Sequence, residues 1–319
     1  MPTIKDVAKK AGVSISTASY ALNHLPNVHP ETRKRVFLAA EELNYYPNGS
    51  AKNLKKRKTG NIGVFIYGFS GPIFSDVLEG IRHKLQENNY NIIVSSGKSS
   101  TNLLQERQVD GAVIFDAEIT DLDLSAYASH GVPIIVLDRK LEGPNIYSSV
   151  IENDKLVYQF VNQMIKKGYH DFAYVSGPLD AFNNNQRYEG FKKALKDKNI
   201  TNHQYYQGDF TIQSGYEAGL EIIKRKDRPK FVFCANDESA IGLIQALNEA
   251  NINIPDEIAL SGFDNIYLGQ YIKPKLTTIG INHILWGEKV AEAMINIVSG
   301  HTVEKIEKPV GEIYERETC

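Results

Sequence analysis

Residues 3–23 read TIKDVAKKAGVSISTASYALN, and this stretch decides the fold of the amino-terminal region. Its apolar residues recur at helical spacing up to Gly12, where a positive φ is expected to end the first helix. Thr3 and Asp6 suit a capping box at the start of that helix, and Ser14 suits the cap of a second. The pattern predicts a helix-turn-helix, with an ordinary αα-hairpin packed on another element as the alternative.

A third helix is expected after Pro30, which suits a first helical turn. Its apolar positions continue the helical spacing and would close a small three-helix core with the first two helices. The residues expected in that core from the third helix are Val36, Phe37, Ala40 and Leu43.

The charge of the chain is unevenly distributed. Residues 1–58 contain eight lysines and three arginines against four carboxylates, a net charge of +7. The whole chain carries −2, which leaves −9 on the remaining 261 residues. A basic head on an acidic body is typical of a nucleic-acid-binding domain joined to a domain of another function.

This head, continued by LNYYPN at positions 43–48, resembles the amino-terminal signature of the LacI/GalR family of bacterial transcription regulators. The resemblance implies that the second helix enters the major groove of operator DNA, with Ile15, Ser16 and Tyr20 facing base edges. Thr17 and Ser19 would then lie closer to phosphates. The DNA-contacting residues that follow from residue types and the resemblance are Thr3, Ser14, Ile15, Ser16, Thr17, Ser19, Tyr20, Asn23, Leu54 and Lys55.

Residues 49–58, which read GSAKNLKKRK, are too polar to fold alone and would by composition be a solvated linker. The resemblance implies instead a hinge helix that folds on DNA and inserts Leu54 into the minor groove, with Lys55 near the phosphates. We therefore expect a DNA-binding domain over residues 1–47 and a hinge over residues 48–59.

Beyond residue 60, apolar runs with few polar breaks alternate with helical patterns, which predicts parallel sheets covered on both faces. Two such α/β units follow each other, and they resemble the two lobes of a periplasmic-binding-protein-like core. The fold class expected is thus a small all-α head plus two doubly wound lobes. The first lobe should comprise residues 60–151 and 283–309, and the second residues 152–282 and 310–319.

Ligands of open α/β sheets bind at the carboxyl ends of the strands, so polar and aromatic residues at those positions are the candidates for an effector cleft. Carboxylates and amides there can bond sugar hydroxyls, a guanidinium can donate in a fork, and aromatic rings can cover sugar C–H surfaces. The residues that occupy these family positions are Phe74, Asp138, Arg187, Phe210, Asn236, Asp264 and His283.

Some of these residues have structural alternatives. Asp237 is expected to cap a helix rather than to contact a ligand, and Asp138 could pair with Arg139. Phe74 and Phe210 could belong to the cores of the lobes. His283 replaces the Gln-Pro sequence that is usual in the family at the second crossing between the lobes.

The function expected is that of a DNA-binding repressor, acting as a homodimer on an operator and controlled by a sugar or sugar derivative. The alternatives are a corepressor-dependent regulator with a non-sugar ligand and a cytoplasmic solute-binding protein. An enzyme is not expected, because the sequence lacks a G-x-G-x-x-G or complete phosphate-loop motif and shows no nucleophile–base pair. We expect a cytoplasmic protein without cofactor, metal or membrane contact, since its two cysteines lack metal-ligand spacing and no apolar run has membrane length.

Overall fold

The computed structural model of the chain describes residues 2–46, 58–69 and 71–319, so the hinge residues Leu54 and Lys55 lie outside the described residues. The chain divides into two compact units, residues 1–59 and 60–319. The helices of the first unit are α1 (Ile4–Ala11), α2 (Ile15–Leu22) and α3 (Pro30–Glu42).

The turn between α1 and α2 has the geometry that the sequence predicts. Gly12 adopts a φ of 64°, and its N–H donates to the carbonyl oxygens at the end of α1. Ser14 precedes α2, and its Oγ accepts a hydrogen bond from the N–H of Thr17 at 3.0 Å. The unit is therefore a helix-turn-helix rather than a plain hairpin with a free turn.

The core of this unit is formed mainly by small residues and valines: Val7, Ala8, Ala11, Ala18, Ala21, Val28, Val36, Ala39 and Ala40. Phe37, which we expected in this core, is exposed instead, and its ring packs on His24 with 5.3 Å between ring centroids. In α3 the positions that face this core are Val36, Ala39 and Ala40, so Phe37 lies on the adjoining face of the helix.

The first lobe of the second unit is built on a five-stranded parallel sheet in the order β2-β1-β3-β4-β5. Its strands are β1 (Asn61–Ile66), β2 (Asn91–Ser95), β3 (Gly111–Phe115), β4 (Ile134–Val136) and β5 (Ile146–Ser148). The helices between them are α4 (Pro72–Glu87), α5 (Lys98–Gln105) and α6 (Asp121–Ser129). Strands β1, β3 and β4 are almost fully buried, as strands covered on both faces must be.

The second lobe is built on a six-stranded sheet, in which only the edge strand β11 runs antiparallel to its neighbour. Its strands are β6 (Phe172–Val175), β7 (His203–Tyr206), β8 (Phe231–Cys234), β9 (Ala259–Asp264), β10 (Thr278–Ile281) and β11 (Gly311–Tyr314). The helices packed on this sheet are α7 (Asn153–Lys166), α8 (Phe182–Lys196), α9 (Ile212–Lys224) and α10 (Asp237–Glu249).

The chain passes between the lobes more than once. It leaves the first sheet after β5, and it leaves the second after β10 to form α11 (His283–Val298), which packs on α4 of the first lobe. A Cβ atom at Gly80 of α4 would overlap the backbone oxygen of Ile284, so the two helices touch backbone to backbone. The chain then returns to the second sheet as β11.

Candidate functional sites

The outer face of α2 carries large side chains that the head itself does not bury. Ile15 is 47% exposed and Tyr20 is 45% exposed, while Ala18 and Ala21 of the same helix are buried in the core. Ser16 is also exposed. This surface combines an aliphatic side chain, a hydroxyl and a phenol, which are groups that can contact base edges in a major groove.

The other candidate side chains of the head are held by local hydrogen bonds. The Ser14 hydroxyl lies 2.8 Å from the hydroxyl oxygens of both Ser16 and Thr17. Thr3 donates to the Asp6 carboxylate from its N–H at 2.8 Å and from its hydroxyl at 2.7 Å, which lowers the pKa of Asp6. Asn23 donates from Nδ2 to the carbonyl of Ser19 at 2.8 Å. These bonds fix the ends of α1 and α2 and so orient the exposed face.

In the second unit, Arg187 of α8 connects the ends of two strands and a helix. Its guanidinium donates to Asn153 Oδ1 at 2.9 Å, to the carbonyl of Ala235 at 2.5 Å and to Asp264 Oδ1 at 3.1 Å. It also lies over the ring of Phe263, with 3.7 Å between Cζ and the ring centroid. Arg187 is only 2% exposed, so these contacts define a single position for its charge.

Asp264 and His283 extend this arrangement towards the first lobe. Asp264 is 4% exposed and has a φ of 111°, a strained conformation at the end of β9. Burial raises the pKa of Asp264, while the charge of Arg187 lowers it. His283, the first residue of α11, has Nε2 3.2 Å from the carbonyl oxygen of Asp264, and burial lowers its pKa. We refer to Arg187, Asp264 and His283 as the interlobe cluster.

A row of aromatic rings continues from the interlobe cluster into the first lobe. The ring of His283 lies 6.4 Å from that of Trp286, which lies 5.9 Å from Phe115, which in turn lies 5.0 Å from Phe74. Trp286 Nε1 donates to the hydroxyl of Ser149 at 2.9 Å. Two of the predicted candidates, Phe74 and His283, therefore mark the two ends of one row of rings.

Asp138 follows β4, and Asp116 follows the neighbouring strand β3. Asp138 Oδ2 accepts from Arg139 at 2.8 Å, the pairing that the sequence left open. Burial raises the pKa of Asp138, and the charge of Arg139 opposes that shift. Asp116 is 1% exposed, and its Oδ1 accepts from the N–H of Glu118 at 2.9 Å. We call Asp116 and Asp138 the acidic pair.

The roles of Asn236 and Asp237 differ from those expected. Asn236, not Asp237, is the N-cap of α10, with its Oδ1 accepting from Ser239 N at 3.1 Å. Its Nδ2 donates to the carbonyl of Phe210 at 2.8 Å. Asp237 is the first residue of the helix, and its buried carboxylate accepts from Ile266 N at 2.8 Å and from the Thr278 hydroxyl. The cap belongs to Asn236 because its extended backbone directs the side chain back onto the first turn.

Phe210 lies at a turn with a φ of 72°, and its ring packs against Gly177, where a Cβ atom would overlap it. Its ring is also in contact with the core of the second lobe, although it is not fully buried. The structure is thus compatible with both hypotheses for Phe210, packing in the core of the second lobe and contact with a ligand.

Four residues of these sites were not among the candidates that we selected from the sequence. Asn153, Ser149, Trp286 and Asp116 contact the predicted candidates or follow the same strand ends. Asp116 could have been found from the rule that selected Asp138, because it also follows a buried strand directly. Asn153, Ser149 and Trp286 had no such signal, since they reach the site from the connections between the lobes.

A separate surface cavity of about 820 Å³ lies between α7 and α8. Lys155, Tyr158 and Lys193 are among its lining residues. Among the described residues, no group of His, Cys, Asp or Glu side chains could hold a metal ion. No described helix is long and apolar enough to cross a membrane.

Comparison with known proteins assigns both units. Residues 3–48 match the family model of bacterial regulatory proteins of the lacI family, and residues 161–319 match that of the periplasmic binding protein-like domain. The chain is 33% identical over 290 residues to the HTH-type transcriptional repressor PurR of Proteus mirabilis. The aligned region covers 88% of this chain and 85% of that repressor.

Two solved structures show the same architecture. The lac repressor dimer bound to operator and the anti-inducer ONPF has a TM-score of 0.86 and 25% identity, covering 99% of this chain and 98% of that one. A LacI-family regulator from Enterococcus faecium with bound ribose has a TM-score of 0.74 and 28% identity, covering 81% of this chain and 98% of that one.

The basic helix-turn-helix head and the two α/β lobes thus define a bacterial DNA-binding regulator with a ligand-binding core. The chain belongs to the LacI family of transcriptional regulators. The family and the fold class that the sequence suggested are both confirmed.

Proposed function

We propose that this regulator represses transcription as a homodimer bound to an operator, and that a small sugar held between its lobes controls the affinity for DNA. The observation that carries the proposal is the interlobe cluster, in which a buried Arg187–Asp264 pair at the ends of the second sheet meets His283 at a crossing between the lobes. A ligand that bonds this cluster would act on both lobes at once.

On the DNA side, Ile15, Ser16 and Tyr20 are proposed to meet base edges, and Thr17 and Ser19 to lie near phosphates. The exposure of Ile15 and Tyr20 supports this role, because large apolar surface in a small head is otherwise unfavourable. Thr3, Ser14 and Asn23 would contact the backbone. The hinge over residues 48–59, with Leu54 in the minor groove and Lys55 near phosphates, rests on the sequence. A dimer is proposed because the related lac repressor was solved as a dimer on its operator.

On the ligand side, Phe74, Asp138, Arg187, Phe210, Asn236, Asp264 and His283 are proposed to line the cleft. The ring row from His283 to Phe74 supports a site that covers a sugar's apolar face, with carboxylates to bond its hydroxyls. The E. faecium relative carries ribose, so a pentose is the first ligand to test. The arrangement requires no cofactor, and we expect neither catalysis nor a location outside the cytoplasm.

Control of DNA binding requires that the ligand prefer one arrangement of the lobes. A preference of about 1–3 kcal/mol is the usual size of such coupling and would change the affinity for DNA about 5- to 150-fold. The hinge segment is proposed as the element through which the lobes would act on the head, because a segment that folded only on DNA would have a stability that a small free-energy change could shift.

The test is a gel-shift titration of the full chain against an operator selected from a random duplex library. Tyr20→Ala and Leu54→Ala should each weaken specific binding at least tenfold. Leu38→Ala, which removes an exposed apolar side chain from α3 instead, is the matched control and should bind normally. Addition of ribose should change the affinity of the parent protein. Equal affinity for the selected and scrambled duplexes would refute the DNA-binding part of the proposal.

A further inference from the structure

We infer that the cleft accepts monosaccharides only in their unphosphorylated form, because the acidic pair and His283 present buried acceptors while the guanidinium groups of Arg139 and Arg187 are already paired with carboxylates. This inference rests on the proposed function, since it specifies which chemical form of the sugar occupies the site.

The first support is a set of acceptors that lack donors. Oδ2 of Asp116 and Oδ1 of Asp138 are buried, and neither accepts a hydrogen bond from any described residue. Asp116 directly follows β3, and Asp138 lies two residues after β4, its neighbour in the sheet, so both residues are at the carboxyl ends of adjacent strands. A buried carboxylate oxygen without a donor is unfavourable, and a ligand that donates a hydrogen bond to it would remove that cost.

His283, at the crossing between the lobes, adds a third acceptor. Its Nε2 faces the carbonyl oxygen of Asp264, which only a protonated ring nitrogen can bond. In the neutral ring Nδ1 is then an acceptor, and Nδ1 is buried without a partner among the described residues. Burial lowers the pKa of His283, which favours this neutral form. All three groups therefore require donors, which each sugar hydroxyl supplies and a dianionic phosphate in place of one of those hydroxyls does not.

The second support is the state of the two arginines. Arg139 pairs with Asp138 at 2.8 Å and with Asp121 at 2.7 Å, and Arg187 pairs with Asp264 at 3.1 Å. An incoming anion could neutralise Arg187 only by displacing the buried carboxylate of Asp264, and Arg139 already has two carboxylate partners, the largely buried Asp138 and the exposed Asp121. A phosphate about 6 Å from one carboxylate, at an effective dielectric constant of about 20, would bind roughly a hundredfold more weakly than the neutral sugar.

A regulator that binds only the free sugar would respond to the molecule before it is phosphorylated. The molecule that it senses is the free sugar, which exists before a phosphoryl transfer to one of its hydroxyls. The reaction that consumes the signal would be that of a sugar kinase, and its product would no longer fit the cleft.

The test is isothermal titration calorimetry of the full chain with D-ribose and D-glucose, each beside its phosphate ester, ribose 5-phosphate or glucose 6-phosphate. At least one free sugar should bind, and its ester should bind at least a hundredfold more weakly. An ester that binds within tenfold of its parent sugar overturns the inference but leaves sugar control intact. If neither pair binds, both the inference and the proposed sugar ligand are wrong, while the gel shift still judges DNA binding.

Substitution of the acidic pair gives a second readout. Asp138→Asn removes one of the two carboxylates paired with Arg139, so it should reduce the preference for the free sugar over its phosphate ester at least tenfold. Asp116→Asn should act in the same direction if Asp138→Asn does not fold, as judged by Trp286 fluorescence and thermal unfolding. Glu142→Gln removes an exposed carboxylate from the same lobe and should leave the preference unchanged. An unchanged preference in both Asp variants would overturn the inference.

Discussion

Arg187→Met should destabilise the core in a way that depends on pH. The substitution removes the guanidinium that donates to Asp264, Asn153 and Ala235 but keeps most of the buried volume. The carboxylate of Asp264, 4% exposed, is then left without its ion pair. Burial of an unpaired charge raises its pKa further, so the carboxylate takes up a proton rather than remaining charged.

Protonation of the Asp264 carboxylate limits how much stability the variant can lose. The penalty from Asp264 cannot exceed the free energy of protonating a carboxylate of ordinary pKa near 3.9, which is about 4 kcal/mol at pH 7 and about 1.5 kcal/mol at pH 5. The unfolded chain is ionised at both pH values, so unfolding releases the proton and stability falls as pH rises. The two lost neutral acceptor contacts add about 1 kcal/mol each, independently of pH.

The assay is urea unfolding of the full chain followed through Trp286, the chain's only tryptophan, which lies in the core of the first lobe. The loss of stability relative to the parent should be smaller at pH 5 than at pH 7, by at most about 2.7 kcal/mol. Arg187→Met combined with Asp264→Asn should recover part of the loss at pH 7 and show little pH dependence. An equal loss at both pH values in the single variant would refute the reasoning.

Three further results are expected. Burial lowers the pKa of His283, so the parent protein should lose stability relative to His283→Gln as the pH falls below 6.5. In urea unfolding the loss should reach up to about 1.4 kcal/mol per pH unit. A difference in stability between the two proteins that does not change with pH would contradict this. Gly80→Ala forces apart the backbones of α4 and α11 and should lower the melting temperature of the core by roughly 5–10 °C, whereas Gly68→Ala, with no atom within 4 Å, should not. Ser14→Ala removes the N-cap of α2 and should speed amide hydrogen exchange in that helix by an amount equivalent to about 1 kcal/mol. Ser19→Ala removes a hydroxyl from the same helix away from its cap and should not. Equal effects within either pair would show that the contact is unimportant.

The elements with local signals could be predicted from the sequence. Gly12 and Ser14 define the turn of the head through their own backbone and side-chain chemistry, and the buried strands of both lobes are visible as apolar runs. The strand β7, which reads HQYY and is only partly buried, lacks the apolar run that indicates a strand covered on both faces. Phe37 was placed wrongly because helical spacing does not tell which of two adjacent apolar residues faces a core.

In the candidate site, too, residues with a local sequence signal could be predicted and residues without one could not. Arg187 and Asp264 were selected because both lie near strand ends, and the structure joins them in a direct ion pair. Their partners Asn153 and Ala235 are 34 and 48 residues from Arg187 in the chain, so no local pattern could indicate them. The exchange of roles between Asn236 and Asp237 has a local origin, because either residue can cap a helix and only the backbone angles distinguish them.

The helix α11 packs on the first lobe although the strands on either side of it, β10 and β11, belong to the second. No continuous piece of the gene therefore encodes either lobe completely. A recombination event that exchanges one lobe between two relatives must have break points on both sides of α11, as well as one after β5. Single-crossover chimeras will combine a helix from one parent with the α4 surface of the other, and their success should depend on the fit at Gly80 and Gly287 more than on the similarity of the sheets.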